Sequence, residues 1–193
     1  QTALPGPVRV YAGPSADGRR SDWAEPHEAG ARWARIASAN WLATAQHAAA
    51  VAGSGLLIDI GSTTTDLIAF HDGQVTTPSR SDRDRLACGE LAYHGAVRTP
   101  LCALAPRIAL QGQSLNVMNE FFASSADVYR LTGELDPAHD LYPTADNAAK
   151  SLPATRQRLA RMVGCDVRDA SDAEWLDCAR AWRAAQIDAL ADS

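Results

Sequence analysis

The residues best suited to chemistry lie in one short segment near the middle of the chain. Gly61 is followed by four consecutive hydroxyl residues, Ser62, Thr63, Thr64 and Thr65. A loop of this kind brings backbone N–H groups and hydroxyl donors together, as phosphate oxygens require. Asp59 precedes the loop and is the predicted metal ligand, because Mg²⁺ keeps most of its waters and takes only one or two carboxylates. Residues 61–65, here called the phosphate loop, are therefore predicted to bind phosphate or diphosphate with Mg²⁺ as cofactor.

Carboxylates near this loop and further along the chain are the candidates for catalysis. A carboxylate within an apolar strand is costly unless it is paired, which favours a functional reading of Asp59 over a plain hairpin loop. Each of the later acidic residues also fits a helix cap or a surface position, and the sequence does not rank them as general bases. The candidate catalytic residues are Asp59, Asp66, Glu90, Asp127 and Asp146.

Arginine side chains are the candidates for holding the rest of an anionic ligand, because guanidinium groups match phosphate and carboxylate oxygens. Arg158 and Arg161 stand three residues apart on a predicted helix and should share one face, which also suits a solvated helix surface. Arg98 is the first choice for steering an anionic group, and Arg85 is a further candidate.

The loop needs strands on both sides and helices to support them. The apolar run around Asp59 predicts a buried strand, and Leu67 to Phe70 predict a second one, joined by a turn at Asp72-Gly73 to Gln74-Val75. Hydrophobic spacing predicts helices over 28–51, 86–94, 120–132, 154–163 and 173–191 and short strands over 108–110 and 115–118. Residues 134–153 are predicted to form a surface loop insertion.

Bulk composition limits the classes of function. The chain has 193 residues, 46% hydrophobic and 21% charged, which is enough for an ordinary core. Its net charge of −5 and its lack of basic runs argue against a nucleic-acid partner. No apolar run approaches the length of a membrane span and no signal segment is visible, so no membrane association and a cytoplasmic location are expected.

Several segments in order resemble one protein family. The phosphate loop with its flanking aspartates resembles a phosphate motif of the superfamily that contains sugar kinases, acetate kinases, actin and heat-shock chaperones, in its hydantoinase A/oxoprolinase branch. More closely, the chain is similar to the proteins of the tetrahydromethanopterin-linked one-carbon transfer pathway. The matching segments are 39–45, 59–66, 85–93, 95–100, 120–123, 126–129, 144–146 and 158–162.

The resemblance implies an α/β fold of the actin-like, ribonuclease H-like type and a transferase of methanofuran biosynthesis. In the implied reaction, a tyramine phenol displaces diphosphate from a furanmethanol diphosphate, so the partners would be a small-molecule diphosphate ester and a γ-glutamyltyramine-like acceptor. Thr99 lies in the same matching segment as Arg98 and joins the predicted substrate-binding residues. The alternatives are an ATP-dependent kinase or hydantoinase-like enzyme and a non-catalytic phosphate-binding lobe.

The resemblance also indicates a difference from the family pattern. The superfamily closes its ligand between two lobes, each with a phosphate loop, whereas this chain has one such loop and begins with Gln1. We therefore expect residues 1–193 to be a single α/β lobe, the C-terminal part of a two-lobed protein, completed by an N-terminal lobe or by a second copy.

Overall fold

The structure divides into two compact units. It is a computed structural model, and it describes residues 6–15, 21–37, 39–79 and 81–193. Unit 1 comprises Gln1–Ile58 and Asp66–Leu91, and unit 2 comprises Asp59–Thr65 and Ala92–Ser193. Both contain helices and small sheets, so the predicted α/β class is confirmed.

Unit 1 opens with a hairpin and two helices. Strand β1 (Val10–Pro14) pairs antiparallel with β2 (Ser21–Ala24). Helices α1 (Trp33–Ala37) and α2 (Asn40–Ala52) follow. The prediction of one helix over 28–51 is wrong. The amide of Ala39 bonds to the carbonyl of Ile36, a tight closure that ends α1 before α2 begins.

The strands around the phosphate loop form one sheet. Its order is β3 (Gly55–Ile60), β4 (Thr65–His71), β5 (Gln74–Val75), and β6 (Leu91–Ala92) also pairs with β4. The predicted turn is confirmed: Asp72 and Gly73 both have positive φ, 49° and 74°, as a two-residue hairpin turn requires.

Strand β3 is largely exposed, so the prediction of a buried strand is wrong. Leu56, Ile58 and Ile60 are each exposed by more than half, at 56%, 55% and 56%. Strand β3 lies at the edge of the sheet, and only Leu57 on its other face packs with the core around Trp41 and Ile68. The apolar run therefore predicted the strand but not its burial, because no described element covers the outer face.

Helix α3 (Asp82–Ala87) replaces the predicted helix over 86–94. Ser81 accepts a hydrogen bond from the Asp84 amide, which sets the start of the helix, and Gly89 leaves the helical conformation with φ 79°. Leu91 and Ala92 are then available to pair with β4. The cap and the glycine thus decide the bounds of this helix.

Unit 2 is mainly helical. The two strands predicted over 108–110 and 115–118 are present as β7 (Arg107–Leu110) and β8 (Gln113–Asn116), which pair antiparallel. Helices α4 (Ser125–Thr132), α5 (Leu152–Met162) and α6 (Asp172–Ala191) follow. Trp175 and Trp182 of α6 are fully buried in a core shared with Leu159 and Val128. The aromatic and aliphatic side chains of these helices thus exclude water from the centre of the unit.

Two helices of unit 2 begin where their capping residues stand. Helix α4 starts after Ser124, whose side chain forms a reciprocal capping box with Asp127, five residues later than the predicted start at 120. Helix α6 starts after a second capping box between Ser171 and Glu174, as predicted to within one residue. The apolar pattern locates a helix, whereas the cap fixes its first turn.

Residues 134–151 contain a single 3-10 turn, Pro137–His139, before α5 begins. Within the described residues, no helix is long and apolar enough to cross a membrane.

Candidate functional site

The phosphate loop is a closed turn with unused donors. The amide of Gly61 donates to the carbonyl of Thr64 at 2.8 Å, which closes the turn. The amides of Ser62, Thr63 and Thr64 have no hydrogen-bond acceptor among the described residues. Unpaired backbone donors are costly when buried and suited to an incoming anion. The loop therefore presents N–H groups that a phosphate oxygen can accept.

The four loop hydroxyl residues are not equivalent. Ser62, Thr63 and Thr64 are partly exposed, and within the described part of the chain their side chains contact no hydrogen-bond acceptor outside the loop itself. Thr65 is fully buried, and its hydroxyl donates to the carbonyl of His94 at 2.6 Å. Thr65 therefore anchors the end of the loop, while the three preceding hydroxyls remain available to a ligand.

A second turn holds the loop in place. The amide of Ala96 donates to the carbonyl of Gly61 at 3.0 Å, and the amides of Val97 and Arg98 donate to the carbonyl of Ser62 at 3.1 and 2.8 Å. These bonds use the carbonyls of Gly61 and Ser62, and none of the described residues accepts from the amides of Ser62, Thr63 and Thr64. The loop is therefore positioned by its acceptor groups, so that its donors stay free for an anion.

Gly95 makes this close approach feasible. A Cβ atom at this position would lie 2.4 Å from the amide nitrogen of Thr63 and 2.5 Å from the carbonyl carbon and oxygen of Ser62. Backbone atoms cannot yield to such contacts, so a side chain would displace the loop. In the sequence Gly95 falls in the matching segment 95–100 but is assigned no role, because its contact with the loop is set by the fold.

The carbonyl of Gly95 is the centre of a buried polar network. It accepts hydrogen bonds from Thr99 Oγ1 at 3.1 Å, Ser125 Oγ at 2.9 Å and Gln186 Nε2 at 3.0 Å. The hydroxyl of Thr99 also accepts from the Gly95 amide at 2.8 Å. Thr99, predicted to bind substrate, is thus placed behind the loop, where its hydroxyl fixes Gly95.

Asp59 is exposed, and it is the one predicted carboxylate without a hydrogen bond or ion pair among the described residues. An open carboxylate beside unpaired loop donors fits a hydrated Mg²⁺ that also contacts phosphate. Within the described part of the chain, no group of three or more His, Cys, Asp or Glu residues forms a metal cage. The residues therefore fit a metal held by one carboxylate and ligand oxygens.

Two other predicted site residues pair with each other in unit 1. Arg85 is 2% exposed, contacts the carboxylate of Asp66 and donates to the carbonyl of Glu90 at 3.1 Å. Its guanidinium also lies 4.2 Å from the ring centroid of Trp41. The arginine is thus held by internal partners rather than directed at a ligand.

Glu90, the third predicted site residue of unit 1, also has a partner. Its carboxylate accepts a hydrogen bond from Thr77 Oγ1 at 2.5 Å.

Four of the predicted residues in unit 2, Asp127, Asp146, Arg158 and Arg161, belong to one ion-pair cluster. Asp127 is 1% exposed and accepts from Arg158 Nε at 2.8 Å, Arg130 Nη1 at 2.7 Å and the Ser124 amide at 3.2 Å. Arg158 is fully buried and also donates to Thr155 and to the carbonyl of Ala149. The cluster, here called the Asp–Arg cluster, comprises Asp127, Arg130, Asp140, Asp146, Lys150, Arg158 and Arg161.

Asp146 joins the two arginines of α5, which share one face as predicted. It lies 3.3 Å from Arg158 and 3.1 Å from Arg161. Partial burial raises the pKa of the Asp146 carboxyl, but the amide of Ala148, the Arg158 charge and the Thr144 hydroxyl outweigh it, and the pKa falls below its usual value. A carboxylate with a lowered pKa is a weaker general base. The surroundings of Asp146 therefore suit a structural role better than general-base catalysis.

A cavity of about 480 Å³ lies in unit 2 next to this cluster. Its walls include Arg98, Asp127 and Arg130 together with the aromatic residues Phe121 and Tyr142. The guanidinium of Arg98 lies 4.9 Å from the ring centroid of Tyr142. We call this cavity the Arg98 pocket, and among the predicted residues it brings together Arg98 and Asp127.

Arg130 and the two aromatic wall residues were missed by sequence reasoning. The Asp127 to Arg130 spacing of three residues was the available signal, since such pairs meet on one helix face. Phe121 lies within the predicted helix over 120–132, yet it precedes α4, is 48% exposed and lines the pocket. The region around Tyr142 showed no periodicity, so only the fold brings its ring to this wall.

Comparisons with a family model and with curated proteins agree on one family. The model of the hydantoinase/oxoprolinase family matches residues 15–179. A curated protein of Methanocaldococcus jannaschii, named (4-{4-[2-(gamma-L-glutamylamino)ethyl]phenoxymethyl}furan-2-yl)methanamine synthase, is 34% identical over 153 residues, covering 79% of this chain and 46% of the relative. A protein of the same name from Methanococcus vannielii is 28% identical over 138 residues, covering 72% of this chain and 62% of the relative. The chain thus spans less than two thirds of each of these relatives.

Proposed function

Because this chain belongs to the hydantoinase/oxoprolinase family, we propose that it carries the diphosphate-binding part of a transferase of methanofuran-type cofactor biosynthesis. The reaction forms an aryl ether between a furan methylene and a tyramine phenol, with diphosphate as leaving group. The names of both relatives support this reaction, since they describe a phenoxymethyl-furan product that bears a γ-glutamylaminoethyl group.

One observation carries the proposal: the amides of Ser62, Thr63 and Thr64 have no acceptor among the described residues, while residues 96–98 hold the carbonyls of Gly61 and Ser62. Hydrogen bonds from neutral donors to a charged oxygen contribute about 1.5–3 kcal/mol each. Donors fixed before the ligand arrives need no reorganisation as charge develops on it. The loop is therefore suited to a leaving group that gains negative charge.

The proposed chemistry is a substitution at the furan methylene carbon. The bond from this carbon to the diphosphate oxygen breaks, and the diphosphate leaves with the electron pair. The phenol oxygen forms the new bond to the same carbon, and its proton passes to solvent or to a base. The amides and hydroxyls of residues 62–64 hold the departing oxygens, which lowers the barrier to C–O cleavage.

Asp59 is the residue that would hold Mg²⁺ here, because its carboxylate is exposed and unpaired within the described chain. A bound Mg²⁺ supplies neutralisation of the charge on the diphosphate. Asp127 is not offered as the base for the phenol proton, since its oxygens already accept hydrogen bonds from two arginines and an amide.

The finer fold assignment belongs to the same proposal. We assign the chain to the actin-like, ribonuclease H-like class, which the strand, hydroxyl loop and strand of residues 55–71 support. Activity of the whole enzyme then requires a second lobe or a second copy. The alignment of this chain with about half of the Methanocaldococcus relative is consistent with that requirement.

The test is calorimetric titration of the purified chain with Mg²⁺ plus pyrophosphate and, separately, with ATP. We expect pyrophosphate binding that depends on Mg²⁺, and an affinity about tenfold lower or more in a Thr63→Val/Thr64→Val variant, since two charge-assisted donors are removed. Asp59→Asn should remove most of the Mg²⁺ dependence. The control, Thr76→Val, changes an exposed threonine of unit 1 and should leave affinity unchanged.

Binding of ATP without binding of pyrophosphate would favour the ATP-dependent alternative instead. Unchanged pyrophosphate affinity in the double valine variant would reject the loop as the diphosphate site.

A further inference from the structure

The Arg98 pocket is attached to the phosphate loop through the main chain. The amide of Arg98 donates to the carbonyl of Ser62 at 2.8 Å, while its side chain forms part of the pocket wall. A cavity of about 480 Å³ falls within the range that binds small organic ligands. A molecule in this pocket would therefore lie beside the loop that is proposed to bind diphosphate.

The charges around the pocket favour an anionic ligand. The Asp–Arg cluster has three carboxylates and four cations, and each cation pairs with at least one of the carboxylates. Arg98 adds a fifth cation, and no carboxylate of the described chain lies within ion-pair distance of it. Of the charged residues that line the pocket, Arg98 and Arg130 are cations and Asp127 is a carboxylate, so the wall keeps a positive excess in a protein whose net charge is −5.

The pocket also offers aromatic surface. Phe121 is 48% exposed and Tyr142 is 42% exposed, although both rings lie in its walls. Exposed rings in a concave site suit another aromatic ring, because stacking and apolar burial both favour contact. A ligand that combines a ring with a carboxylate matches the two kinds of wall.

We propose that the Arg98 pocket binds the acceptor substrate, with the guanidinium of Arg98 on the γ-glutamyl carboxylate and the phenol ring against Phe121 and Tyr142. This inference rests on the proposed function, because the acceptor class is taken from it. It assigns the second substrate a site separate from the diphosphate and adjacent to it. Holding both reactants in neighbouring sites reduces the entropic cost of bringing them together.

The experiment measures binding of γ-glutamyltyramine and of tyramine, which lacks the carboxylate, to the full chain by calorimetry. We expect γ-glutamyltyramine to bind more tightly than tyramine. Arg98→Met should weaken γ-glutamyltyramine about tenfold to a hundredfold, the usual effect of losing a charge-assisted contact, and should not weaken tyramine, which has no carboxylate. Arg98→Lys should restore part of the affinity because the charge is retained.

Two controls separate this inference from the proposed function. Arg180→Met removes an exposed arginine of α6 outside the pocket and should not change either affinity. Titration of each variant with Mg²⁺ plus pyrophosphate reports on the loop alone, and this affinity should survive Arg98→Met.

The inference is overturned if the wild-type chain binds γ-glutamyltyramine no better than tyramine, or if Arg98→Met leaves the γ-glutamyltyramine affinity unchanged. It is also overturned if Arg98→Met abolishes only pyrophosphate binding, because Arg98 would then serve the diphosphate. Unchanged pyrophosphate affinity in the Thr63→Val/Thr64→Val variant would instead count against the proposed function.

Discussion

The phosphate loop and two arginines of the Asp–Arg cluster, Arg158 and Arg161, are both candidates for anion binding in the sequence, and the structure separates them. The loop carries no charge of its own, yet the amides of Ser62, Thr63 and Thr64 have no acceptor within the described chain. Arg158 carries a full charge, yet its donors bond to Asp127, Asp146, Thr155 and a carbonyl. Capacity to bind a ligand thus depends on which donors remain unpaired rather than on formal charge.

The largest expected effect is on the free energy of unfolding, and it distinguishes the Asp–Arg cluster from the phosphate loop. Arg158→Met should destabilise the protein by about 3–5 kcal/mol, because it leaves Asp127 and Asp146 in a cluster that has lost its central cation. Urea unfolding monitored by tryptophan fluorescence measures this change. Arg161→Met is the matched control on the same helix, and since its side chain is 42% exposed it should cost at most about 1 kcal/mol.

The comparison would be reversed if Arg158→Met left stability intact and abolished pyrophosphate binding. In that case the cluster, and not the loop, would be the anion site.

The next effect concerns the loop. Gly95→Ala should cost about 1–3 kcal/mol through steric overlap with Ser62 and Thr63, and it should lower the pyrophosphate affinity about tenfold or more, because the loop is displaced. Urea unfolding and calorimetry on the same preparation give both values. Gly30→Ala is the control, since a Cβ atom there would meet nothing within 4 Å.

Normal pyrophosphate affinity in Gly95→Ala would mean that the loop tolerates displacement. The close contact with Gly95 would then have no role in positioning the donors.

A smaller effect should appear in the pH dependence of stability. The pKa of Asp146 is lower in the folded protein than its usual value of 3.8, so its contribution is fully present above that value and is lost as the pH falls through the folded pKa. Urea midpoints measured from pH 7 to pH 3 should therefore fall at the acid end. The fall should be shallower in Asp146→Asn, and equal slopes in both proteins would contradict the assignment.

The smallest effect extends the comparison to the strands beside the loop. Ile58→Thr should change stability by no more than about 0.5 kcal/mol, because this side chain is 55% exposed on the edge strand β3. Ile68→Ala on β4 should cost about 2–5 kcal/mol, since Ile68 is fully buried. Comparable losses in the two variants would show that the outer face of β3 is covered in solution.

The sequence by itself determined the local features. Gly61 with four hydroxyl residues identified the loop, and Asp72-Gly73 identified its neighbouring turn, because these depend on backbone preferences over a few residues. The periodic apolar residues of 154–163 and 173–191 located α5 and α6 to within two residues. The residues of the capping box, Ser124 and Asp127, were also visible in the sequence. The apolar pattern nevertheless predicted a start for α4 at residue 120, before this box.

Only the tertiary structure decided which polar groups remain available. Arg85 and Arg158 are paired with carboxylates, whereas Arg98 has no carboxylate partner among the described residues. The two carboxylates that pair with Arg158 lie 12 and 31 residues away along the chain. Gly95 matters because residues 95–98 fold against the loop, a contact across more than thirty positions. Hydrogen bonds and ion pairs act at distances of a few ångströms, so their partners are set by the fold, and spacing along the chain does not encode them.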